Sequence, residues 1–234
     1  MVASSPEHRI GKGDELLLRV LSEALEEAAR RAGPRLACRI GCIECCIGPF
    51  PITLLDAWRL RNALRDLAAR DPERAARIRR RALDSLARLA PDFPGDLRSG
   101  ILHPDATAEE AFATRHESEP CPLLEPESGA CELYDARPVS CRTFGPPVRL
   151  AGENLPPCRL CFQDSPAEEI EACRVEIDPD GVEEALLLEL EQAVETRGET
   201  IVAFALALEP FPTDVLVRNQ PSPLSDAAHG SLGP

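Results

Sequence analysis

The sequence has little of what marks several common protein classes. Its 234 residues hold one Trp, one Tyr, one Met and seven Phe, so aromatics reach only 4%. A core must then come from Leu, Ala, Val and Ile, a mixture that favours helices. Long apolar runs are also missing. The longest, Ile201 to Leu208, is too short to cross a bilayer. Residues 1–13 (MVASSPEHRIGKG) contain no apolar stretch of the signal-peptide kind. Cations are outnumbered, with 26 Lys and Arg against 40 Asp and Glu, giving a net charge of −14. A field of that sign excludes nucleic acid and membrane surfaces as general partners. Together these absences predict a cytoplasmic chain, in a compartment where thiols stay reduced.

Hydrophobic spacing divides the chain coarsely. Residues 1–13 read as a loose N-terminal tail. Asp14 to Ala32 forms an apolar stripe through Leu17, Val20, Leu21, Ala24, Leu25 and Ala28, and Gly33-Pro34 ends it. Thr53 is placed to cap a helix to about Arg70. Asp71-Pro72 restarts the chain into a helix to about Ala90. Thr107 with Glu110 has the form of a capping box for a short helix to Arg115. A strand is expected over Arg174 to Ile177, a helix over Val182 to Thr196, and a second helix over Thr200 to Leu208. From Pro210 on, Pro, Ser, Asp, Asn and Gly dominate, which predicts a disordered tail over 210–234. The expectation is a mainly α fold with little or no sheet. One helical domain, 14–209, carries an irregular cysteine-rich segment. The stretch Arg59 to Arg98 holds eleven arginines against six acids, and reads as a solvated helix face rather than a docking site.

What is abundant is cysteine. There are ten, and nine sit in Gly- and Pro-rich stretches rather than on helix stripes. In a reducing compartment such clustering points to metal. Cys38, Cys42, Cys45 and Cys46 follow C-x3-C-x2-C-C, a spacing that lets one tight loop turn three thiolates to a common centre. Gly41 and Gly48 supply the backbone freedom that loop needs. Cys45 and Cys46 are adjacent, so their side chains tend to diverge. Either they serve two centres, or one is a free or bridging thiol. Cys121, Cys131 and Cys141 follow at ten-residue intervals, and Cys121 precedes a proline, as at cluster ligands of bacterial ferredoxins. Cys158 and Cys161 form a C-x2-C knuckle. Cys173 reads as a small buried hydrophobe. Glu44 is a candidate carboxylate ligand if the metal is non-haem iron. His116 reads as an exposed helix-end residue, and His8 and His229 lie in the tails.

The C-x3-C-x2-C-C cluster, followed by P-C-P-L-L at 120–124 and by G-x-C-x-L-Y-x-x-R-P-x-x-C-R at 129–142, resembles the YkgJ-type cysteine-cluster family of zinc- or iron-chelating proteins. The likeness runs from about Cys38 to Cys161. It takes in Tyr134, Arg137, Pro138 and Arg142 as well as the cysteines. It implies a metal site built from Cys38, Cys42, Cys45, Cys46, Cys121, Cys131, Cys141, Cys158 and Cys161. Around that site Arg137 and Arg142 would neutralise thiolates, and Tyr134 would pack over the loop and hydrogen-bond through its OH. A surface pairing of the two arginines with Glu132 or Asp135 is the competing expectation.

Three readings of the metal compete. Iron–sulfur, a [4Fe–4S] cluster included, fits the compact three-cysteine loop, and implies electron transfer with a protein redox partner. Structural zinc fits the Cys158–Cys161 pair and the lack of any nucleophile or acid–base pair, and implies an interaction module without catalysis. A radical or methyl-transfer enzyme dependent on S-adenosylmethionine fits C-x3-C-x2-C alone. Glu44, not an aromatic, precedes Cys45, and the chain is short for the barrel that such enzymes use.

Overall fold

A computed structural model describes residues 5–39 and 41–218. The chain is mainly helical there, with 56% helix against 10% strand. The first helix, α1 (Pro6–Ala32), starts earlier than its apolar stripe. Ser5 caps it by accepting the His8 N–H at 3.3 Å, and Pro6 takes the first helical position. The expected loose tail at 1–13 is thereby corrected from Ser5 onward; residues 1–4 lie outside the described residues. Gly11 and Gly13 disguise these first turns, and Gly13 has a packing reason. A Cβ on Gly13 would sit 2.3 Å from Leu186 Cδ2, on a helix that α1 crosses closely.

Helix α2 (Leu54–Arg70) is capped by Thr53, and α3 (Pro72–Leu89) by Asp71, as their sequences predict. Helix α4 (Ala106–Arg115) is capped by Asp105 in place of the expected Thr107, because the Asp105 carboxylate accepts both the Thr107 and Ala108 N–H groups. Two short helices follow, α5 (Val139–Thr143) and α6 (Ala167–Cys173). Then come α7 (Val182–Val194), α8 (Val202–Ala207) and α9 (Asp214–Arg218). Helix α1 packs on α7, α2 on α3, and α8 lies across both α2 and α3. Leu17, Leu21, Leu54, Leu60, Ile78 and Leu190 are fully enclosed between them.

Three small sheets join the ends. Strand β1 (Ile52–Thr53) pairs antiparallel with the strand over Glu199–Thr200, so the expected helix at 200–208 loses its first residues to a sheet. Strands β2 (Gly95–Asp96) and β3 (Ile101–Leu102) form a hairpin. Strands β4 (Val148–Leu150), β5 (Glu153–Leu155) and β6 (Val175–Ile177) run in the order β5-β4-β6, with β4 antiparallel to β5 and parallel to β6. The Glu199–Thr200 strand is β7.

The expected disorder from Pro210 also needs correction. Phe211 is buried under the Arg61 guanidinium, 5.2 Å from its ring centre. Asp214 forms a two-pronged pair with Arg61 at 2.9 and 2.7 Å and accepts the Phe211 N–H. That pairing orders residues 210–218 despite their composition. Residues 219–234 lie outside the described residues. Among the described residues, no helix is long and apolar enough to cross a membrane.

One polar group sits inside the helical core. Arg59 donates to Asp14 at 2.9 Å and to Asp56 at 2.6 Å, and all three side chains are almost wholly enclosed. Asp56 also accepts the Val139 N–H at 3.0 Å, at the start of α5. Burial raises the Asp56 carboxyl above its ordinary range, against the opposing pull of Arg59 and the Val139 N–H.

Candidate metal centre

The cysteine segments are carried on loops that the helices anchor. After α1 the chain turns through Gly33–Arg35 and enters residues 36–50. Gly41 and Gly48 both take φ 86°, a left-handed conformation that a side chain would strain, as the sequence predicts. Between them Glu44–Cys46 makes one tight turn, closed by the Cys46 N–H on the Ile43 carbonyl at 2.8 Å. The turn brings Cys45 and Cys46 together rather than apart, with their sulfurs 4.0 Å from each other.

The second segment docks on this loop by backbone pairing. The Cys121 N–H donates to the Cys46 carbonyl at 2.8 Å, the Gly48 N–H donates to the Glu119 carbonyl at 2.8 Å, and Ile47 bridges Pro120. Leu124 in turn bridges Cys131. Cys141 lies on α5, whose first N–H is the one held by Asp56. Cys158 and Cys161 close a turn through the Cys161 N–H on the Cys158 carbonyl at 2.7 Å. Cys38, Cys42, Cys45, Cys46, Cys121, Cys131, Cys141 and Cys158 all line one cavity of about 460 Å³, over an apolar floor that includes Leu25, Leu123 and Val202. Cys161 lies buried just behind it and accepts the Ala37 N–H at 3.4 Å. Cys173 is buried apart from the cavity, as expected, and donates to the Arg31 carbonyl at 3.3 Å.

Helix α3 fastens this assembly through one stripe of its surface. Arg74 and Arg81 both pair with Glu132, the neighbour of Cys131, and Arg81 also donates to the Pro122 carbonyl at 2.8 Å. Ser85 and Arg88 both bond Glu119, at 2.7 Å each. The arginine-rich segment is therefore more than a solvated face: Arg74, Arg81 and Arg88 find their counter-charges in Glu119 and Glu132 of the cysteine segment.

Electrostatics divide the thiols. Burial pushes Cys121 up to about 12. It also raises Cys131 and Cys158, and Cys141 more strongly. Cys38 is pushed up to about 12 by burial and by its thiol neighbours. Cys45 goes the other way. A hydrogen bond shared with the Cys46 thiol lowers it to about 6, against burial and with help from the Arg137 charge, while Cys46 is raised. Because either sulfur can hold the shared proton, it is the Cys45–Cys46 pair that gives up a first proton more readily than the buried thiols around it.

The remaining candidates fall in three places. Arg137 stacks over the Tyr134 ring at 3.6 Å and donates to the Tyr134 carbonyl, while Arg142 donates to the carbonyls of Arg137 and Asp135. All three line the cavity. The expected surface pairing of these arginines with the Glu132 or Asp135 carboxylates is not what forms, since Glu132 is taken by Arg74 and Arg81. Tyr134 and Phe144 leave about half of their surface exposed at the rim. Glu44 lines the cavity, but its carboxylate is held by Arg159 at 2.7 and 2.9 Å. His116 is largely buried rather than exposed, against Phe112 and 3.3 Å from Asp92, away from the cysteines.

Soft thiol donors in this number, held on one cavity, fit zinc or an iron–sulfur group by their chemistry. Among the described residues, no three Cys, His, Asp or Glu side chains converge to the spacing of one ion. What the residues provide is a thiol-lined space rather than a preformed single-ion cage. A profile of the family CxxCxxCC, described as a "Putative zinc- or iron-chelating domain", matches residues 37–161. No curated protein and no solved structure matches the chain.

Proposed function

The chain belongs to the CxxCxxCC family of zinc- or iron-chelating domains, and on that premise we propose that its thiols hold iron–sulfur for redox or electron-transfer chemistry. The observation that carries this reading is the cavity of about 460 Å³ with eight cysteines on its wall. A space of that size suits a group of several atoms better than one ion. When bound, an iron–sulfur group accepts and releases single electrons.

The chain's own residues have definable parts in this. The cysteines bind as thiolates, so loading must displace the protons that burial holds on Cys38, Cys121 and Cys141. The touching Cys45–Cys46 pair, which shares one proton, is the natural place for loading to begin. Arg137 supplies positive charge beside Cys45 and Cys131, which offsets the anionic site. Leu25, Leu123 and Val202 keep water from the floor. A protein redox partner would approach at the exposed rings of Tyr134 and Phe144.

One observation favours zinc for part of the set. The Cys158–Cys161 turn is buried, and the Ala37 N–H points at the Cys161 sulfur, an arrangement that suits a closed structural site. The S-adenosylmethionine reading has less behind it, because strands among the described residues are two or three residues long and lie in three separate small sheets. Anaerobic purification with iron, zinc and acid-labile sulfide measured per chain tests the proposal. Iron with matching sulfide supports it. Zinc without sulfide moves the chain to the structural reading, and neither metal refutes both.

A further inference from the structure

We propose that the nine clustered cysteines form two separate metal centres, Cys38, Cys42, Cys158 and Cys161 in one, and Cys45, Cys46, Cys121, Cys131 and Cys141 in the other. The inference rests on the metal-binding reading above and says how its ligands divide. It separates Cys42 from Cys45, which the C-x3-C-x2-C spacing taken alone would place on one centre.

Three observations carry it, two of them geometric, and the third, electrostatic, places Cys42. The first is packing. Cys158 and Cys161 belong to a small apolar cluster with Ala32, Phe162 and Cys173, beside Leu36 and Ala37 at the end of α1. Cys121 and Cys131 pack instead against the main helical core.

The second is backbone pairing. The 35–38 segment is tied to the 158–162 turn: the Phe162 N–H donates to the Arg35 carbonyl at 2.9 Å, and the Ala37 N–H to the Cys161 sulfur. Cys38 lies against Gly145, where an added Cβ would meet its sulfur at 2.5 Å, and the Cys158 N–H donates to the Gly145 carbonyl at 3.0 Å. Cys38, Cys158 and Cys161 are thus joined through one short network. On the other side the Cys46 carbonyl receives the Cys121 N–H, Cys131 bridges Leu124, and Cys45 and Cys46 touch.

The third is charge proximity. Cys38 has Cys161, Cys42 and Cys158 as its charged neighbours, and Cys158 has Cys161 and Cys42. Cys141 has Cys121, Cys45 and Cys131, and Cys46 has Cys45, Cys121 and Cys131. No thiol of one set appears among these neighbours of the other. At the boundary stands the Glu44–Arg159 ion pair, contributed by the residue before Cys45 and the residue after Cys158.

The first set has four thiols, which is the number for a closed tetrahedral ion or one cluster. The second has five, so one of the touching pair Cys45 and Cys46 is in excess of four-fold ligation. This accounts for the adjacent cysteines without assigning them to different centres.

The test uses the full chain isolated without oxygen, holding its own iron or zinc. Metal per chain is measured, and each thiol's alkylation is followed by mass spectrometry, for the wild type, Cys42→Ser and Cys141→Ser. The expected result is reciprocal. Cys42→Ser loses about half the metal and exposes Cys38, Cys158 and Cys161 to alkylation, leaving Cys121, Cys131 and Cys141 protected. Cys141→Ser does the reverse. Graded chelator added to the wild type gives a readout independent of variant folding: the thiols should become reactive in the same two groups. Release of all nine together, or exposure of Cys121 by Cys42→Ser in a chain that still melts cooperatively, overturns the division. A wild type that holds no iron or zinc overturns the metal reading itself, and so is told apart from a failure of the division alone.

Discussion

Replacing Arg59 should be among the most damaging single changes outside the cysteines, and the damage should depend on pH. Arg59 is the one cation between the enclosed carboxylates of Asp14 and Asp56. In Arg59→Met both carboxylates remain buried without the guanidinium that pairs with them, and only the more distant charge of Arg142 still acts on them. Breaking a buried pair from one side costs roughly 3–5 kcal/mol. For a chain of this size each kcal/mol lowers the melting temperature by about 2–4 °C, so a drop of about 6–20 °C is expected at pH 7. Without the guanidinium, burial of the Asp56 carboxyl acts with less opposition and pushes it further upward, so protonating it as pH falls relieves part of the cost; the gap to wild type should narrow towards pH 5. Asp56→Asn is the informative contrast. It removes one of two negative charges, keeps an oxygen for the Val139 N–H, and leaves Arg59 on Asp14. Its cost should stay within about 1 kcal/mol. Circular-dichroism melts of the three proteins at pH 7 and pH 5 decide the matter. An Arg59→Met melt within 2 °C of wild type, or a gap unchanged between the two pH values, would refute the reasoning.

Three further outcomes are expected. Glu183 is pushed up to about 7, by burial first and by Asp56, Asp178 and Asp14 beside it. A raised carboxyl loses stability as pH rises from its unfolded value through 7, so Glu183→Gln should stabilise by roughly 1–2 kcal/mol at pH 8 and not at pH 4, read from urea melts. In the metal-free chain Cys38 and Cys121 are held protonated up to about 12. The fold then binds more protons than the unfolded chain above pH 9, so stability should fall from about 9 towards 12, checked by melting in chelator; a flat profile would contradict the burial of these thiols. The Arg79–Glu209 pair is about half exposed at both ends, and Arg79→Ala should cost less than about 1 kcal/mol in the same melts.

The helices were legible wherever cap and stripe agree. Thr53 and Asp71-Pro72 announce α2 and α3, and the structure begins both at those residues. The start of α1 was hidden although Ser5-Pro6 is a good cap signal, because Gly11 and Gly13 weaken the pattern and Gly13 is explained only by Leu186, far away in sequence. The β4–β5 hairpin was missed because its turn is Ala151-Gly152, with φ 50° and 80°, where a hairpin usually advertises Asn-Gly or Asp-Gly. At the site, the cysteines, Tyr134, Arg137 and Arg142 were all visible, and the structure lays eight cysteines and these three residues on one cavity. Which cysteines neighbour which was not readable, since that depends on the pairing of residues 35–38 with 145 and 158–162 across more than a hundred positions. Arg59 fell in the stretch read as a solvated helix face, whereas the structure encloses it between Asp14 and Asp56. The arginines at 74, 81 and 88 carried a usable signal, a spacing of seven on one helix face, but their partners Glu119 and Glu132 lie outside the helix.

That stripe on α3 gives the two parts of the molecule different sensitivities. The helices hold one another through enclosed leucines and isoleucines, a grip that added salt leaves intact or tightens. The cysteine segment is stitched to them through Arg74, Arg81 and Arg88, whose outer ends reach solvent while Glu119 and Glu132 are nearly enclosed, and such half-open contacts weaken modestly as counter-ions gather. Ionic strength therefore acts as a selective dial. Raising it loosens the seam around Glu119 and Glu132 while the helical body stays shut, and local breathing of the cysteine segment becomes separable from global unfolding.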